Sequence, residues 1–227
     1  MEQNPNLIVM LTHHDRTVPN AAEIFASCAH SRAQYWGFKE VGLPLEQMKS
    51  LFAAMRACGK TTVLEVVAYT EEECLSGAQI AAECGCDILM GTVFYDSVND
   101  FCKANALRYM PFVGTITGRP SVLEGSIDDM IAQARSYLEK GISGIDLLAY
   151  RYTGDPEELI RTFVRAVDAP VCLAGSIDRL SRLDEVRNAG AWGFTIGGAF
   201  FEEKFGRDFA SQIDAVCAHL DAAPAAV

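Results

Sequence analysis

Short apolar segments recur along the chain, and each is followed by residues with the spacing of an amphipathic helix. The apolar segments cover residues 7–11, 35–39, 62–67, 87–92, 108–113, 144–149, 170–174 and 193–197. Their starts are separated by 21 to 36 residues, an interval that accommodates a parallel strand and its crossover helix. Residues 7–11 are apolar throughout, which is typical of a strand covered on both faces. The pattern predicts eight strand–helix units.

Residues at the expected helix boundaries support this division of the chain. Thr70 and Glu73 have the spacing of a capping box, and Asp155 before Pro156 suits a helix start. Eight units in 227 residues fit an α/β fold of the (β/α)8 TIM-barrel type. The alternative is an open doubly wound sheet, but no Gly-x-Gly-x-x-Gly follows the first strand. We expect one domain over residues 1–227, with residues 222–227 as a frayed tail.

The composition limits the classes of partner. Apolar residues make up 50% of the chain, enough for a sizeable core. The net charge of −11 disfavours nucleic acid or an anionic membrane as partner, because both require a basic surface. No segment approaches the ~20 apolar residues of a membrane span, and residues 1–5 lack the pattern of a secretory signal. Eight scattered cysteines are typical of reduced, buried thiols, so we expect a cytoplasmic protein.

The sequence does not predict a metal site or a cofactor. Cys84 and Cys86 are separated by one residue and have no second Cys or His pair nearby, unlike the ligands of a zinc site. Asp87 and Asp146 lie at the beginnings of their predicted strands. We expect both at the bottom of the barrel in structural roles, because active sites of this fold lie at the carboxyl ends of the strands.

Glycine-rich turns follow the last two predicted strands. The seventh strand ends in Gly175-Ser176 and the eighth in Gly197-Gly198. Glycines let backbone N–H groups approach a phosphate closely, and barrels that bind phosphorylated ligands use these two loops with a short extra helix. We therefore predict a phosphate site formed by these four residues.

The carboxyl-terminal quarter resembles the ribulose-phosphate-binding barrel superfamily. The resemblance is carried by residues 175–177, 183–186 and 190–205, and it is greatest to the histidine-biosynthesis sugar-phosphate isomerases. Residues 148–153 also resemble a strand end of N-acylmannosamine-6-phosphate epimerases. The resemblance implies a phosphorylated, sugar-like ligand held by the two glycine turns.

The reaction of a particular family does not transfer to this chain. Where the isomerases have acid/base aspartates after strands one and five, Asp15 lies beyond the first strand and Thr115 follows the fifth. Where the keto-deoxy-phosphogluconate aldolases carry a Schiff-base lysine on strand six, this chain has Tyr150 and Arg151. The resemblance thus gives a fold and a ligand class only.

Three residues are candidates for catalysis. Lys39 and Glu65 lie on neighbouring strands near the carboxyl ends, and strand alternation can turn both into the barrel. A carboxylate inside an apolar strand is costly unless it is paired or functional. His13 ends the first strand, and histidine suits proton transfer. A structural ion pair is the alternative for Lys39 and Glu65, and a solvated loop is the alternative for His13.

Further residues at strand ends are candidates for substrate binding. They are Thr92, Thr115, Arg119, Tyr150 and Arg151. The segment 114–125 is long for a strand–helix connection, which is typical of a lid. His30 and His219 fall in helical patterns and are expected at the surface or in packing.

These residues suggest an isomerase or epimerase that moves a proton next to a carbonyl of a small phosphorylated sugar. One alternative is a lyase of the class I aldolase type, with Lys39 as Schiff base to a phosphorylated keto acid. Another is a non-catalytic, phosphate-ligand-binding regulatory barrel. The sequence leaves open the substrate, any metal and whether the chain forms a homo-oligomer.

Overall fold

Eight parallel strands form the central sheet of the computed structural model, which describes residues 4–222. The strands are β1 (Asn6–Met10), β2 (Tyr35–Lys39), β3 (Thr61–Val66), β4 (Ile88–Gly91), β5 (Arg108–Met110), β6 (Ile145–Leu147), β7 (Val171–Leu173) and β8 (Gly193–Ile196). Their order in the sheet is β6–β7–β8–β1–β2–β3–β4–β5. A parallel bridge between Phe112 and Asp146 joins β5 to β6. The predicted (β/α)8 barrel is confirmed.

Helices follow the strands on the outside of the barrel. They are α1 (Ala21–Cys28), α2 (Leu45–Ala57), α3 (Glu71–Glu83), α4 (Asp96–Ala104), α5 (Ile127–Glu139), α6 (Pro156–Ala166), α7 (Leu180–Ala189), the short α8 (Gly198–Phe201) and α9 (Phe209–Asp221). The predicted capping box at Thr70 and Glu73 is present, and Asp155 accepts hydrogen bonds from two N–H groups of α6. The expected short helix after β8 is present as α8. The tail was predicted over residues 222–227, of which residues 223–227 lie outside the described part of the chain.

Side chains of the strands alternate between two cores. The inward set fills the lower barrel and consists of Ile8, Met10, Val63, Ile88, Met90, Met110 and Cys172. The outward set, which includes Trp36 and Leu64, packs against the helices. A Cβ on Gly37 would lie 2.5 Å from the carbonyl oxygen of Val63, so only glycine fits at this inward position. Because both faces are covered, the strands carry continuous apolar segments.

Two β-hairpins lie beyond the carboxyl ends of the strands. One pairs Thr12–His13 with Arg16–Thr17 and follows β1. The other pairs Thr115–Thr117 with Val122–Glu124 and occupies the segment expected to be a lid. Tyr69 holds this second hairpin, because its hydroxyl lies 2.8 Å from both the Gly118 carbonyl oxygen and Ser121 Oγ. Between residues 4 and 222, no helix is long and apolar enough to cross a membrane.

Candidate active site

A cavity of about 430 Å³ opens at the carboxyl ends of the strands. Its lining includes eight of the residues predicted from the sequence: His13, Lys39, Glu65, Arg151, Gly175, Ser176, Gly197 and Gly198. These residues come from the hairpin after β1, from β2 and β3, and from the loops after β6, β7 and β8. Barrel closure therefore brings together side chains that are separated by more than 180 positions in the chain.

Lys39 lies at the centre of a charged group on one side of the cavity. Its Nζ donates a hydrogen bond to Asp15 Oδ1 at 2.9 Å and lies 3.9 Å from Glu65 Oε1. Lys39 and Glu65 are register partners on β2 and β3, so both point into the barrel. The expected meeting of these two charges is observed. Their side chains are 10% and 15% exposed, so solvent screens the pair weakly.

The neighbouring carboxylates keep Lys39 protonated. Burial lowers the pKa of Lys39, but the charges of Glu65 and Asp15 outweigh this effect and raise the pKa above its ordinary value. Burial acts to raise the pKa of Asp15, but the hydrogen bond from Lys39 and the charge of Lys39 lower it. The net effect is a pKa below the ordinary value for Asp. At neutral pH this pair is an ammonium and a carboxylate.

The hairpin after β1 places Asp15 beside Lys39. His14 and Asp15 have φ angles of 49° and 58° and form the two-residue loop between His13 and Arg16. A two-residue hairpin loop with both positions in the left-handed region matches the twist of its strands, and Asp tolerates this conformation. Asp15 was not among the predicted site residues, although its position in a polar turn after β1 is a usable signal.

Asp146 corrects one prediction from the sequence. It is fully buried on the inward side of β6, in register with Cys172 of β7. Within residues 4–222, neither of its carboxyl oxygens has a partner at good hydrogen-bond geometry, although the Gly91 N–H is near enough to act on its pKa. Burial raises the pKa of Asp146 well above its ordinary value and the charge of Glu65 raises it further, whereas the Gly91 N–H, Lys39 and Arg151 act in the opposite direction. Asp146 therefore lies on the inward side close to Glu65 and Lys39, and the predicted position at the bottom of the barrel is wrong.

Asp87, in contrast, has the structural role that was expected. Its Oδ2 accepts hydrogen bonds of 2.7 Å from both the N–H and the hydroxyl of Thr62, which lies on the neighbouring strand β3. This pairing joins the amino-terminal ends of β3 and β4, on the side of the barrel away from the cavity.

The two glycine turns form the opposite side of the cavity. Gly175 and Ser176 have φ angles of 79° and 60°, and the Gly175 N–H donates to Thr195 Oγ1 at 3.2 Å. A Cβ on Gly197 would lie 2.9 Å from the Thr12 carbonyl oxygen, so β8 and β1 approach each other closely here. The N–H groups of Ser176, Gly197 and Gly198 donate to no acceptor within the described part of the chain. These turns thus present free donors along the wall of the cavity.

Each carboxylate that lines the cavity already contacts a cation. The pairs are Asp15–Lys39, Glu65–Lys39, Asp178–Arg182 and Glu202–Lys204, with N–O separations of 2.9, 3.9, 3.0 and 3.5 Å. Arg151 lines the same cavity, and a Cβ on Gly175 would lie 3.0 Å from its Nε. Its guanidinium makes no hydrogen bond or ion pair within residues 4–222. Arg151 is therefore a cation of the cavity wall that lacks an anion.

His13 lies next to the turn after β8. Its ring stacks on His14 and Phe201, at centroid distances of 3.8 and 5.2 Å. Its Nε2 lies 4.0 Å from Glu202 Oε1 and has no hydrogen-bond partner among residues 4–222.

Of the five predicted substrate-binding residues, Arg151 lines the cavity, whereas Thr92, Thr115, Tyr150 and Arg119 do not. Thr92 is fully buried and its hydroxyl lies 2.6 Å from that of Tyr109. Thr115 is exposed in the second hairpin. The Tyr150 hydroxyl donates to Glu185 Oε2 at 2.6 Å, towards α7. Thr92, Thr115 and Tyr150 follow strand ends, but their side chains point away from the barrel axis.

Arg119 lies in an adjacent cavity. Its Nη2 donates to the Val67 carbonyl oxygen at 2.8 Å, and the guanidinium lies over the Tyr69 ring at 5.7 Å. It lines a cavity of about 330 Å³ next to α3, together with Glu40. Burial raises the pKa of Glu40, and the charge of Glu65 adds to this effect. Arg119 therefore does not reach the central cavity in this arrangement.

His30 and His219 lie away from the cavity, as expected. His30 is exposed, and His219 Nε2 lies 2.9 Å from Asp184 Oδ1 on the outer helices. In the part of the chain that the structure describes, no group of three His, Cys, Asp or Glu side chains has the geometry of a metal site.

Comparisons with known proteins agree on the fold. No family model and no curated protein sequence matches the chain. Among solved structures, it is similar to N-acetylmannosamine-6-phosphate 2-epimerase from Clostridium perfringens, with 13% identity, a TM-score of 0.63 and 86% of each chain covered.

Two archaeal structures are similar over more of the chain. N-(5'-phosphoribosyl)anthranilate isomerase from Pyrococcus furiosus is 11% identical, with a TM-score of 0.66, over 96% of this chain and 98% of that chain. Orotidine 5'-phosphate decarboxylase from Pyrococcus horikoshii is 12% identical, with a TM-score of 0.69, over 96% and 100%. These three neighbours are enzymes of the same fold, and the name of each includes a phosphate-bearing compound. At these identities the likeness establishes the shared fold.

Proposed function

We propose that this protein is an isomerase or epimerase that moves a proton next to the carbonyl of a small phosphorylated sugar. The observation that carries the proposal is the composition of the cavity. One wall holds Lys39 and Glu65, and the opposite wall holds free backbone N–H groups and the unpaired guanidinium of Arg151.

The wall with Arg151 suits a phosphate. The free N–H groups of Ser176, Gly197 and Gly198 can donate to phosphate oxygens, and the guanidinium of Arg151 can bind such oxygens with charge-assisted hydrogen bonds. Because the other charged groups are already paired, a bound anion supplies the missing partner of Arg151. The neighbouring structures of phosphosugar enzymes support the same ligand class.

The wall with Lys39 suits proton transfer. Glu65 is placed to remove a proton from the carbon next to a carbonyl, and the ammonium of Lys39 stabilises the enolate oxygen that forms. A Schiff base requires a neutral amine, whereas Asp15 and Glu65 raise the pKa of Lys39. The charge distribution thus favours proton transfer over the lyase alternative.

The test is isotope exchange with a panel of aldose and ketose phosphates in D2O. NMR follows loss of the proton on the carbon next to the carbonyl, and we expect exchange with at least one member of the panel. General acid–base groups contribute about 10²–10⁴-fold to rate, so Lys39→Met and Glu65→Gln should each reduce exchange by at least about 100-fold.

A second Lys–Glu pair provides matched controls. Lys49 and Glu83 form an ion pair of 2.7 Å on the outer helices, so Lys49→Met and Glu83→Gln should leave exchange unchanged. Binding of a sugar phosphate without any exchange would contradict the proposed enzymatic activity and would indicate a non-catalytic, ligand-binding barrel. A borohydride-trapped adduct on Lys39 would contradict the isomerase and indicate the lyase.

A further inference from the structure

The structure divides a cluster that is continuous in the sequence. His13, His14 and Asp15 are consecutive, but the turn at His14 and Asp15 sends the Asp15 carboxylate to Lys39. His13 stays on the other side, beside the turn after β8. A Cβ on Gly198 would have the His13 Cδ2 as its nearest neighbour, at 3.7 Å. The two ends of this hairpin therefore serve different walls of the cavity.

The His13 ring is held in place, and one of its nitrogens is left without a partner. Stacking on His14 and Phe201 fixes the plane of the ring. Nε2 is almost completely enclosed and has no hydrogen-bond partner within residues 4–222. A buried polar atom without a partner is unfavourable, and such atoms are commonly satisfied by a ligand.

We propose that His13 binds the anionic group of the ligand, together with Gly197, Gly198 and Arg151, and is not the acid/base partner of Lys39 and Glu65. The inference deepens the proposed function, because it rests on the anion site of that proposal. Its support is the position of the ring against the β8 turn, its orphan nitrogen, and the use of Asp15 rather than His13 beside Lys39.

Charged and polar groups surround the His13 ring. Glu202 lies 4.0 Å from Nε2 and is itself 3.5 Å from Lys204. His14 stacks on the ring, and Arg151 and Asp178 line the same cavity. An imidazolium donates from both nitrogens and attracts an anion, whereas a neutral imidazole donates from one. In either form the ring can donate a hydrogen bond to an oxygen of the anion.

The test uses sulfate, a dianion with the tetrahedral shape of phosphate. Calorimetry measures the affinity of the native protein and of each variant for sulfate at one pH. A hydrogen bond to a charged group contributes about 1.5–3 kcal/mol, so His13→Gln and His13→Asn should each lose at least about tenfold in affinity. The exposed control His30→Gln should bind sulfate with the native affinity. Glu202→Gln should bind sulfate more tightly, because a competing carboxylate is removed.

The outcomes separate this inference from the proposed function. If sulfate binds, Arg151→Met abolishes binding, and both His13 variants keep the native affinity, the role of His13 is wrong and the anion site stands. If sulfate does not bind the native protein, or binds equally to Arg151→Met, the anion site itself is wrong and the role of His13 fails with it. Thermal unfolding of each variant confirms that it is folded.

Discussion

Single carboxyl groups on inward strand positions have different roles in this barrel. Glu65 and Asp146 both interrupt apolar strand segments, and both point inward. Glu65 reaches Lys39 and the cavity, whereas Asp146 is enclosed and has no partner at good hydrogen-bond geometry among residues 4–222. Two interacting carboxyl groups at low dielectric retain a proton between them. Because Asp146 is fully buried and its pKa is raised well above the ordinary value, we infer that it holds this proton.

Replacement of Asp146 by Asn should change how stability depends on pH. The pKa of Asp146 is raised in the native state, so the native protein binds this proton more tightly than the unfolded chain. Native stability is therefore lost as the pH rises from about 4 towards the folded pKa, at up to roughly 1.4 kcal/mol per pH unit. Asn does not ionise, so Asp146→Asn should lack this loss.

Urea unfolding at several pH values measures the difference in unfolding free energy between Asp146→Asn and the native protein. We expect the difference to shift in favour of the variant as the pH rises from about 5 to about 8. The exposed Asp168→Asn is the control and should show no such shift. A difference that does not vary with pH would mean that Asp146 is already ionised in the native state.

Turns at the ends of strands decide where the donors of the cavity lie. Glycine is required at position 197 because a Cβ there would lie only 2.9 Å from the Thr12 carbonyl oxygen. Gly198 is different, because a Cβ there would make only ordinary contacts of 3.7 Å or more. The physical reason for a glycine therefore differs between these two adjacent positions. Gly197 is needed for folding of the turn, whereas the room at Gly198 is available to a ligand.

The two glycines should respond differently to alanine. Gly197→Ala forces a Cβ against backbone and should destabilise the protein by about 1–3 kcal/mol. Gly198→Ala lies at the first position of α8 and should be neutral or stabilising by up to about 1 kcal/mol. Chemical denaturation of both variants measures these free energies. Equal destabilisation by the two substitutions would show that the close contact at Gly197 is not what requires glycine.

At the scale of the whole molecule, the barrel has one weak seam. Seven pairs of neighbouring strands are joined by ladders, but β5 and β6 meet at the single bridge between Phe112 and Asp146. Two backbone hydrogen bonds cross this seam. The Asp146 N–H donates to the Pro111 carbonyl oxygen at 3.0 Å, and the Ser143 N–H donates to the Tyr109 carbonyl oxygen at 2.8 Å. The buried carboxyl of Asp146 lies at this seam.

Hydrogen exchange should detect the seam. Local opening exposes amides in regions that have few ladder hydrogen bonds. We therefore expect the amides of Ser143 and Asp146 to exchange at least about tenfold faster than those of β1, which is paired on both sides. NMR of the native protein in D2O measures these rates. Uniform protection around the ring would contradict a weak closure between β5 and β6.

The sequence by itself determined the eight strands, their order, the helix caps and the glycine turns. These features depend on local periodicity and turn chemistry, which act between residues close in the chain. It also identified Lys39 and Glu65, because charges in apolar strands are costly. Only the tertiary structure decided that Asp15 contacts Lys39, that Asp146 lies under Glu65 and that Tyr150 and Thr92 point outward. Depth along the barrel and the direction of a side chain after a strand end depend on how distant strands are staggered, and local patterns do not encode that stagger.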